Sequence, residues 1–174
     1  MLKKKLGAEA LELNWSWEKN LTNHFKIPST LTIIEGCKWI GSSVFWECWW
    51  LKKVIIPESV EYIGFYAFKG CQKLKEVIIP KNVEEIRDYA FWDCGSLKEV
   101  VIPDGVKKIE GFIFCDCIGL EKVIVPKSVK LIGICAFDGC NNATIILKKR
   151  KKNFEFIASD AFRGCKHVKE KIRS

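Results

Sequence analysis

The feature that most constrains this chain is a block of 23 residues that begins at Leu51 and returns at Leu74, Leu97 and Leu120 without a change of length. Each copy reads Leu-x-x-Val-x-(Ile/Val)-Pro-x-x-Val-x-x-Ile-x-x-x-(Ala/Ile)-Phe-x-x-Cys. A fixed period of this size marks units that bury their apolar faces only by stacking on neighbours. The blocks therefore predict a solenoid. A solenoid acts through broad walls rather than an enclosed reaction chamber.

Let the first leucine of each block be offset 0. Apolar residues at offsets 0, 3 and 5 (Leu51, Val54, Ile56; Leu74, Val77, Ile79) have the spacing of a short strand entered from a turn. Proline follows at offset 6, as Pro57, Pro80, Pro103 and Pro126. Having no N–H, it ends the ladder and turns the chain. The return leg carries Val at offset 9, Ile at 12, Ala or Ile at 16, Phe at 17 and Cys at 20. Its β-branched and aromatic residues predict extended or short-turn structure rather than a full helix. Phe68, Phe91, Phe114 and Phe137 stack as an aromatic spine in this arrangement.

The pattern extends outward from the regular blocks. Leu31, Ile33, Cys37, Ile40, Val44, Phe45 and Cys48 fit an earlier repeat with Ile34 in the proline position, and Ile145, Leu147, Ile157, Ala161, Phe162 and Cys165 fit a sixth, stretched by two residues around a basic run. The expected organisation is an N-terminal cap over 1–27, about six repeats over 28–165, and a tail or truncated repeat over 166–174. Leu11 to Trp17 alternates apolar and polar residues and reads as a capping strand. The abrupt stop suggests a truncated array or an edge shielded by charge.

Nine cysteines would suggest disulfides in a secreted chain. Six of them, Cys48, Cys71, Cys94, Cys117, Cys140 and Cys165, instead keep the repeat phase, which marks packing residues. Stacked rungs bring such thiols close, but parallel Cβ vectors make poor disulfide geometry. Without a Cys-x-x-Cys pair, and with His24 and His167 isolated, no metal or other cofactor is expected. Cys37, Cys115 and Cys135 fall out of phase with this ladder and are expected to be partly exposed.

The formal charge of +8 is concentrated at Lys3 to Lys5, at Lys148 to Lys152 and in the tail from Arg163 to Arg173. Charge held at the ends of a scaffold speaks for solubility and against a nucleic-acid reader, which carries a stripe along one face. Nothing approaches a run of about 18 apolar residues, so no membrane span is expected. The charged start is followed by no apolar stretch and does not read as a signal peptide. An intracellular protein or a portion of a longer chain both fit.

These repeats resemble the BspA-like (Treponema pallidum type) leucine-rich repeat over about residues 28–165. Ile56 to Cys71 and Val125 to Cys140 match its unit closely. The resemblance implies a right-handed leucine-rich repeat coil, mainly β, with a parallel sheet on the concave face and an irregular or short-helical convex side. It also implies a surface-exposed or secreted protein associated with adhesion, and it carries over no catalytic site. The asparagine ladder of ordinary leucine-rich repeats is replaced here by Ser59, Asn82, Gly105 and Ser128.

Three surfaces are candidates for function. Ile55, Ile78, Val101, Ile124 and Ile146 occupy offset 4, pointing away from the core, and form an apolar ribbon about 20 Å long with a charged rim. That is a protein-docking surface, or the ordinary preference of β-branched residues for strands. Lys148, Lys149, Arg150, Lys151 and Lys152 form a basic loop that suits a polyanion or acidic partner, or discourages edge pairing. Trp15, Trp17, Trp39, Trp46, Trp49 and Trp50 crowd the first part of the chain and could stack on sugars, form a hot spot or cap the coil. Asn14, Asn20 and Asn142 head glycosylation acceptor patterns, which matter only in a secreted eukaryotic chain.

The expected function is a non-enzymatic protein-binding module at a cell surface. Carbohydrate or polyanion binding, and a structural spacer in a larger surface protein, remain the alternatives. An enzyme is disfavoured because acids such as Glu84, Glu85 and Glu99 have no histidine or cysteine partner in the pattern.

Overall fold

The structure is a computed structural model that describes Lys5–Leu6 and residues 29–149 and 151–171. The proposed capping strand at Leu11 to Trp17, with Trp15 and Trp17, lies outside the described residues, as does Arg150.

Each repeat contributes two short strands. The strands in chain order are β1 (Lys5–Leu6), β2 (Thr30–Ile33), β3 (Trp39–Ile40), β4 (Lys53–Ile55), β5 (Tyr62–Ile63), β6 (Glu76–Val77) and β7 (Glu85–Ile86). They continue as β8 (Glu99–Val101), β9 (Lys108–Ile109), β10 (Lys122–Val125), β11 (Leu131–Ile132), β12 (Thr144–Leu147), β13 (Phe156–Ile157) and β14 (His167–Glu170). All pairings are parallel, between equivalent residues of successive rungs: Val54 faces Val77, and Val123 faces Val100 and Ile145. Among the described residues, helix is confined to one 3-10 turn, Lys151–Asn153.

The core follows the repeat phase. In all four regular blocks, offsets 0, 3, 5, 9, 12, 16, 17 and 20 are buried. Phe45, Phe68, Phe91, Phe114, Phe137 and Phe162 form one column with centroid spacings of 5.1, 5.1, 5.4, 5.6 and 5.9 Å and near-parallel planes. The in-phase thiols do more than fill space. Cys71, Cys94, Cys117, Cys140 and Cys165 each donate S–H to the spine-phenylalanine carbonyl of the preceding rung, at 3.0–3.3 Å. No disulfide links any cysteine.

Cys37, Cys115 and Cys135 depart from expectation: they are 3%, 6% and 7% exposed, not partly exposed. Cys37 lies one full period before Val60, at the offset-9 position that valine fills in the regular blocks, so it belongs to the core. Cys115 and Cys135 lie on the return leg, where tight turns fold the backbone over them.

That return leg is a run of turns held rung to rung. In the Leu51 block the N–H groups of Tyr66, Phe68 and Gly70 donate to the carbonyls of Asp88, Ala90 and Trp92 at 3.3, 2.7 and 2.8 Å. The geometry requires left-handed backbone at offset 15, where Tyr66, Tyr89, Phe112 and Cys135 have φ from 48° to 62°. Non-glycine residues adopt this region at a cost of about 1–2 kcal/mol each. The inter-rung bonds and ring stacking offset that cost. Offset 19 is left-handed too and holds Gly70 and Gly139 in two blocks.

One discontinuity breaks the regularity. The strands form two sheets on each wall, β1-β2-β4-β6 and β8-β10-β12-β14 on one, β3-β5-β7 and β9-β11-β13 on the other. The strand ladders of both walls lapse between the Leu74 and Leu97 blocks, although on the main wall the Lys98 N–H still donates to the Lys75 carbonyl at 3.3 Å. On the second wall Glu84 and Arg87 donate to Glu61 and Ile63, and Lys130 and Gly133 donate to Lys107 and Ile109. Among the described residues, Lys107 and Glu110 make no corresponding bond to Glu84 and Ile86. The return leg stays closed across this seam, with Tyr89, Phe91 and Asp93 donating to Gly111, Ile113 and Cys115 at 3.2, 2.9 and 2.9 Å.

Candidate functional site

The offset-4 column lies where the pattern places it, on the outer face of the main wall. The alternation of β4 and β8, exposed-buried-exposed, turns Val54 and Val100 inward and Ile55 and Val101 outward. Ile55 is 46% exposed, Ile78 66% and Val101 49%, while Ile124 and Ile146 are half-buried. Pairing sets Thr32 beside Ile55 at one end and Lys169 beside Ile146 at the other, so polar side chains bound the ribbon.

The seam turns part of this ribbon into a groove. An open cavity of about 670 Å³ is lined by Ile78, Val101 and Ile124, by Ile79 and Ile102 on its floor, and by Pro103 and Pro126 on one flank. Glu76, Glu99, Lys81, Asp104 and Lys148 complete the lining. Ion pairs across rungs neutralise the acids of the other flank: Glu76 with Lys53 at 3.6 Å, Glu99 with Lys122 at 2.5 Å, and Glu121 with Lys98 at 2.7 Å. All are exposed pairs that contribute little to stability but fix which charges remain uncompensated.

The basic run is divided rather than gathered. Because β12 starts one residue early relative to the regular period, Lys148 occupies the proline position next to Pro126, and its N–H donates to the Val125 carbonyl at 2.9 Å. Lys148 thus joins the main-wall groove. Lys149 lies 4.3 Å above the Phe154 ring, and its partial burial and the nearby Lys130 lower its pKa from the usual lysine value. Lys151 sits over Phe162 at 5.7 Å, with its N–H bonded to Glu170 at 3.0 Å. Of the described members, only Lys152 projects without a described contact of this kind.

The tryptophans do not converge either. Trp39 stands on the second wall, 46% exposed; Trp46 is on the return leg, 48% exposed; Trp49 lies at the following turn, 56% exposed. Trp50 packs against the core, meeting Trp49 edge to face. The return leg does carry a surface that sequence reasoning missed. Tyr66, Tyr89 and Phe112 stack at 4.9 and 4.8 Å, flanked by Trp46 and Trp92, and Lys69 Nζ lies 4.3 Å from the Trp92 ring and 5.2 Å from Trp46. The signal was available as aromatic residues at offset 15 and Trp-Lys-Trp at offset 18 in successive blocks. These rings turn their faces to one another and their edges outward, which leaves little free face for a sugar.

The replaced asparagine ladder survives in part. Gly36 N–H donates to Ser59 Oγ, Asn82 Nδ2 to the Glu58 carbonyl and Ser128 Oγ to the Val106 carbonyl, at 3.0, 2.8 and 3.2 Å. Burial pushes up the thiols of Cys71, Cys94 and Cys140, and those of Cys48 to about 12 and Cys165 to about 11, so these five are poor nucleophiles at neutral pH. Among the described residues no group of His, Cys, Asp and Glu side chains is arranged to hold a metal ion, and no helix is long and apolar enough to cross a membrane.

The BspA type leucine rich repeat region matches this chain in six copies over residues 38–169. A leucine rich cell surface protein from Faecalibacterium prausnitzii is similar at 30% identity and a TM-score of 0.69, over 72% of this chain and 34% of that one. The Treponema pallidum leucine rich repeat protein is similar at 28% identity and a TM-score of 0.65, over 80% of this chain and 72% of that one. A leucine-rich repeat protein from Bacteroides ovatus, 24% identical with a TM-score of 0.58 over 75% of this chain and 40% of that one, shares the fold. This chain spans about a third of the length of the F. prausnitzii protein. Nothing among the curated proteins matches it.

Proposed function

This chain belongs to the BspA-type leucine-rich repeat family, and on that premise we propose that it is a non-enzymatic protein-binding module that recognises its partner through the outer face of the main wall. The observation that carries this is the offset-4 ribbon. Aliphatic side chains aligned at rung spacing stay exposed, lead into an open groove, and are rimmed by charge. Exposed apolar strips of this kind, apolar at the centre and polar at the rim, are how docking surfaces are built. Location at a cell surface and a role in adhesion fit the F. prausnitzii relative, a cell surface protein. The dispersal of Trp39, Trp46 and Trp49 over separate faces weighs against a glycan platform.

The test is parallel probing of protein and glycan microarrays with wild-type protein and the Ile78→Lys plus Ile124→Lys variant. Protein spots that vanish with the variant are expected. Binding retained in full by the variant, or confined to glycans, overturns the assignment. Protease shaving of intact cells that express the full-length protein tests location, with loss of the repeat region expected.

A further inference from the structure

We propose that the seam groove accepts a linear acidic segment of the partner protein, with an aliphatic side chain entering between Ile78 and Val101 and carboxylates resting on Lys81 and Lys148. This rests on the protein-binding reading of the same wall and deepens it.

Shape supplies the apolar half of the recognition. Where β6 and β8 fall short of a ladder, the wall bears a groove whose lining includes Ile78, Ile79 and the otherwise buried Ile102. Farther along the wall the pairing is longer, with β10 meeting β12 over four residues. The seam is where a partner side chain gains contacts on several sides instead of one, and burial of that kind concentrates binding energy in a few anchors.

Charge supplies the other half. Glu76, Glu99 and Glu121 each have a lysine within ion-pair distance. Of the lysines that line the groove, Lys81 and Lys148 form no such pair, and Asp104 is the one unpaired acid of the lining. The uncompensated charge around the groove is therefore positive. The Lys148 backbone is held beside Pro126 by its N–H bond to the Val125 carbonyl, and a lysine beside an apolar floor selects carboxylate neighbours and repels basic ones. Lys81 lies three rungs away along the axis, about 14 Å at strand spacing, so one segment of four or five residues reaches both.

A random peptide library displayed on phage and panned against the folded protein tests this. Enriched peptides should share an aliphatic residue flanked by Asp or Glu. A synthetic peptide of that consensus should bind more weakly at high salt, should lose about tenfold in affinity to the Lys81→Glu plus Lys148→Glu variant, and should lose binding to Ile78→Ser. Lys81→Glu alone serves if Lys148→Glu disturbs the last strands, with circular dichroism as the check of fold. Enrichment without acidic bias, or no enrichment, overturns the proposal. Sensitivity to Ile78→Ser with indifference to the lysine reversals leaves the groove as a docking site and rejects the acidic partner. Indifference to both rejects the wall itself, and the protein-binding reading falls with it.

Discussion

The seam makes a prediction that the repeat pattern alone does not. Phe91 and Phe137 are chemically equivalent spine residues, both fully buried and both sandwiched between rings: Phe91 at 5.1 and 5.4 Å, Phe137 at 5.6 and 5.9 Å. Truncating either to alanine removes a buried ring and leaves a cavity, a loss of about 3–5 kcal/mol. The consequences should then diverge. Phe91 stacks on Phe114 across the seam, where the strand walls do not pair and the return leg carries the junction. In a solenoid, cooperativity is transmitted through nearest-neighbour interfaces. Phe91→Ala should uncouple residues 29–96 from residues 97–171, whereas Phe137→Ala weakens an interface where β10, β12 and β14 remain paired. Because the denaturant slope follows the surface exposed in one step, Phe91→Ala should lower the urea slope toward half or show two transitions. Phe137→Ala should keep a single transition of nearly unchanged slope at a lower midpoint. Equal slopes for the two variants would refute the reasoning, as would a loss below about 1 kcal/mol for either.

Four further outcomes are expected. Amide hydrogen exchange should be faster at Lys107 and Glu110 than at Lys130 and Gly133, whose N–H groups reach the preceding rung; comparable protection would remove the seam. Cys71, Cys94, Cys117 and Cys140, all fully buried, should resist iodoacetamide in the native state at pH 8.5 and react in denaturant, with Cys165 the first in-phase thiol to be modified as pH rises. Burial raises the pKa values of Cys48, Cys71, Cys94, Cys140 and Cys165 above the unfolded value of about 9, so at these five positions the unfolded chain alone loses thiol protons above that pH. Stability should therefore hold below pH 9 and fall toward pH 11–12; a urea midpoint unchanged across that window contradicts the assignment. Gly119→Ala would place a Cβ 2.4 Å from the Gly95 carbonyl oxygen and should cost about 1–3 kcal/mol in urea unfolding, against a neutral result if the rung can yield.

Much of this architecture was legible because the same physical demand recurs at the same offset. Val54, Val77, Val100 and Val123 must all face inward, and proline at offset 6 must end each ladder, so the repeat states the fold several times over. The offset-4 ribbon was legible for the same reason. What escaped was set by relations between rungs. The Leu74 and Leu97 blocks read alike, so nothing local announces that β6 and β8 do not pair. Lys148 reached the wall through a one-residue shift of β12, which the basic run obscured. The left-handed backbone at Tyr66, Tyr89 and Phe112 runs against residue preference and is held by stacking and inter-rung bonds, so propensity could not point to it. Cys37 was misread because it stands outside the cysteine ladder, although the residue fills the core position that valine fills elsewhere.

Hydroxyl-radical footprinting of the protein bound to its selected peptide examines the recognition face directly. Protection centred on Ile78, Val101 and Ile124, with Trp46 and Trp92 labelled as in the free protein, is the predicted result. Protection of the return-leg aromatics with Ile78 and Val101 still fully labelled would contradict it.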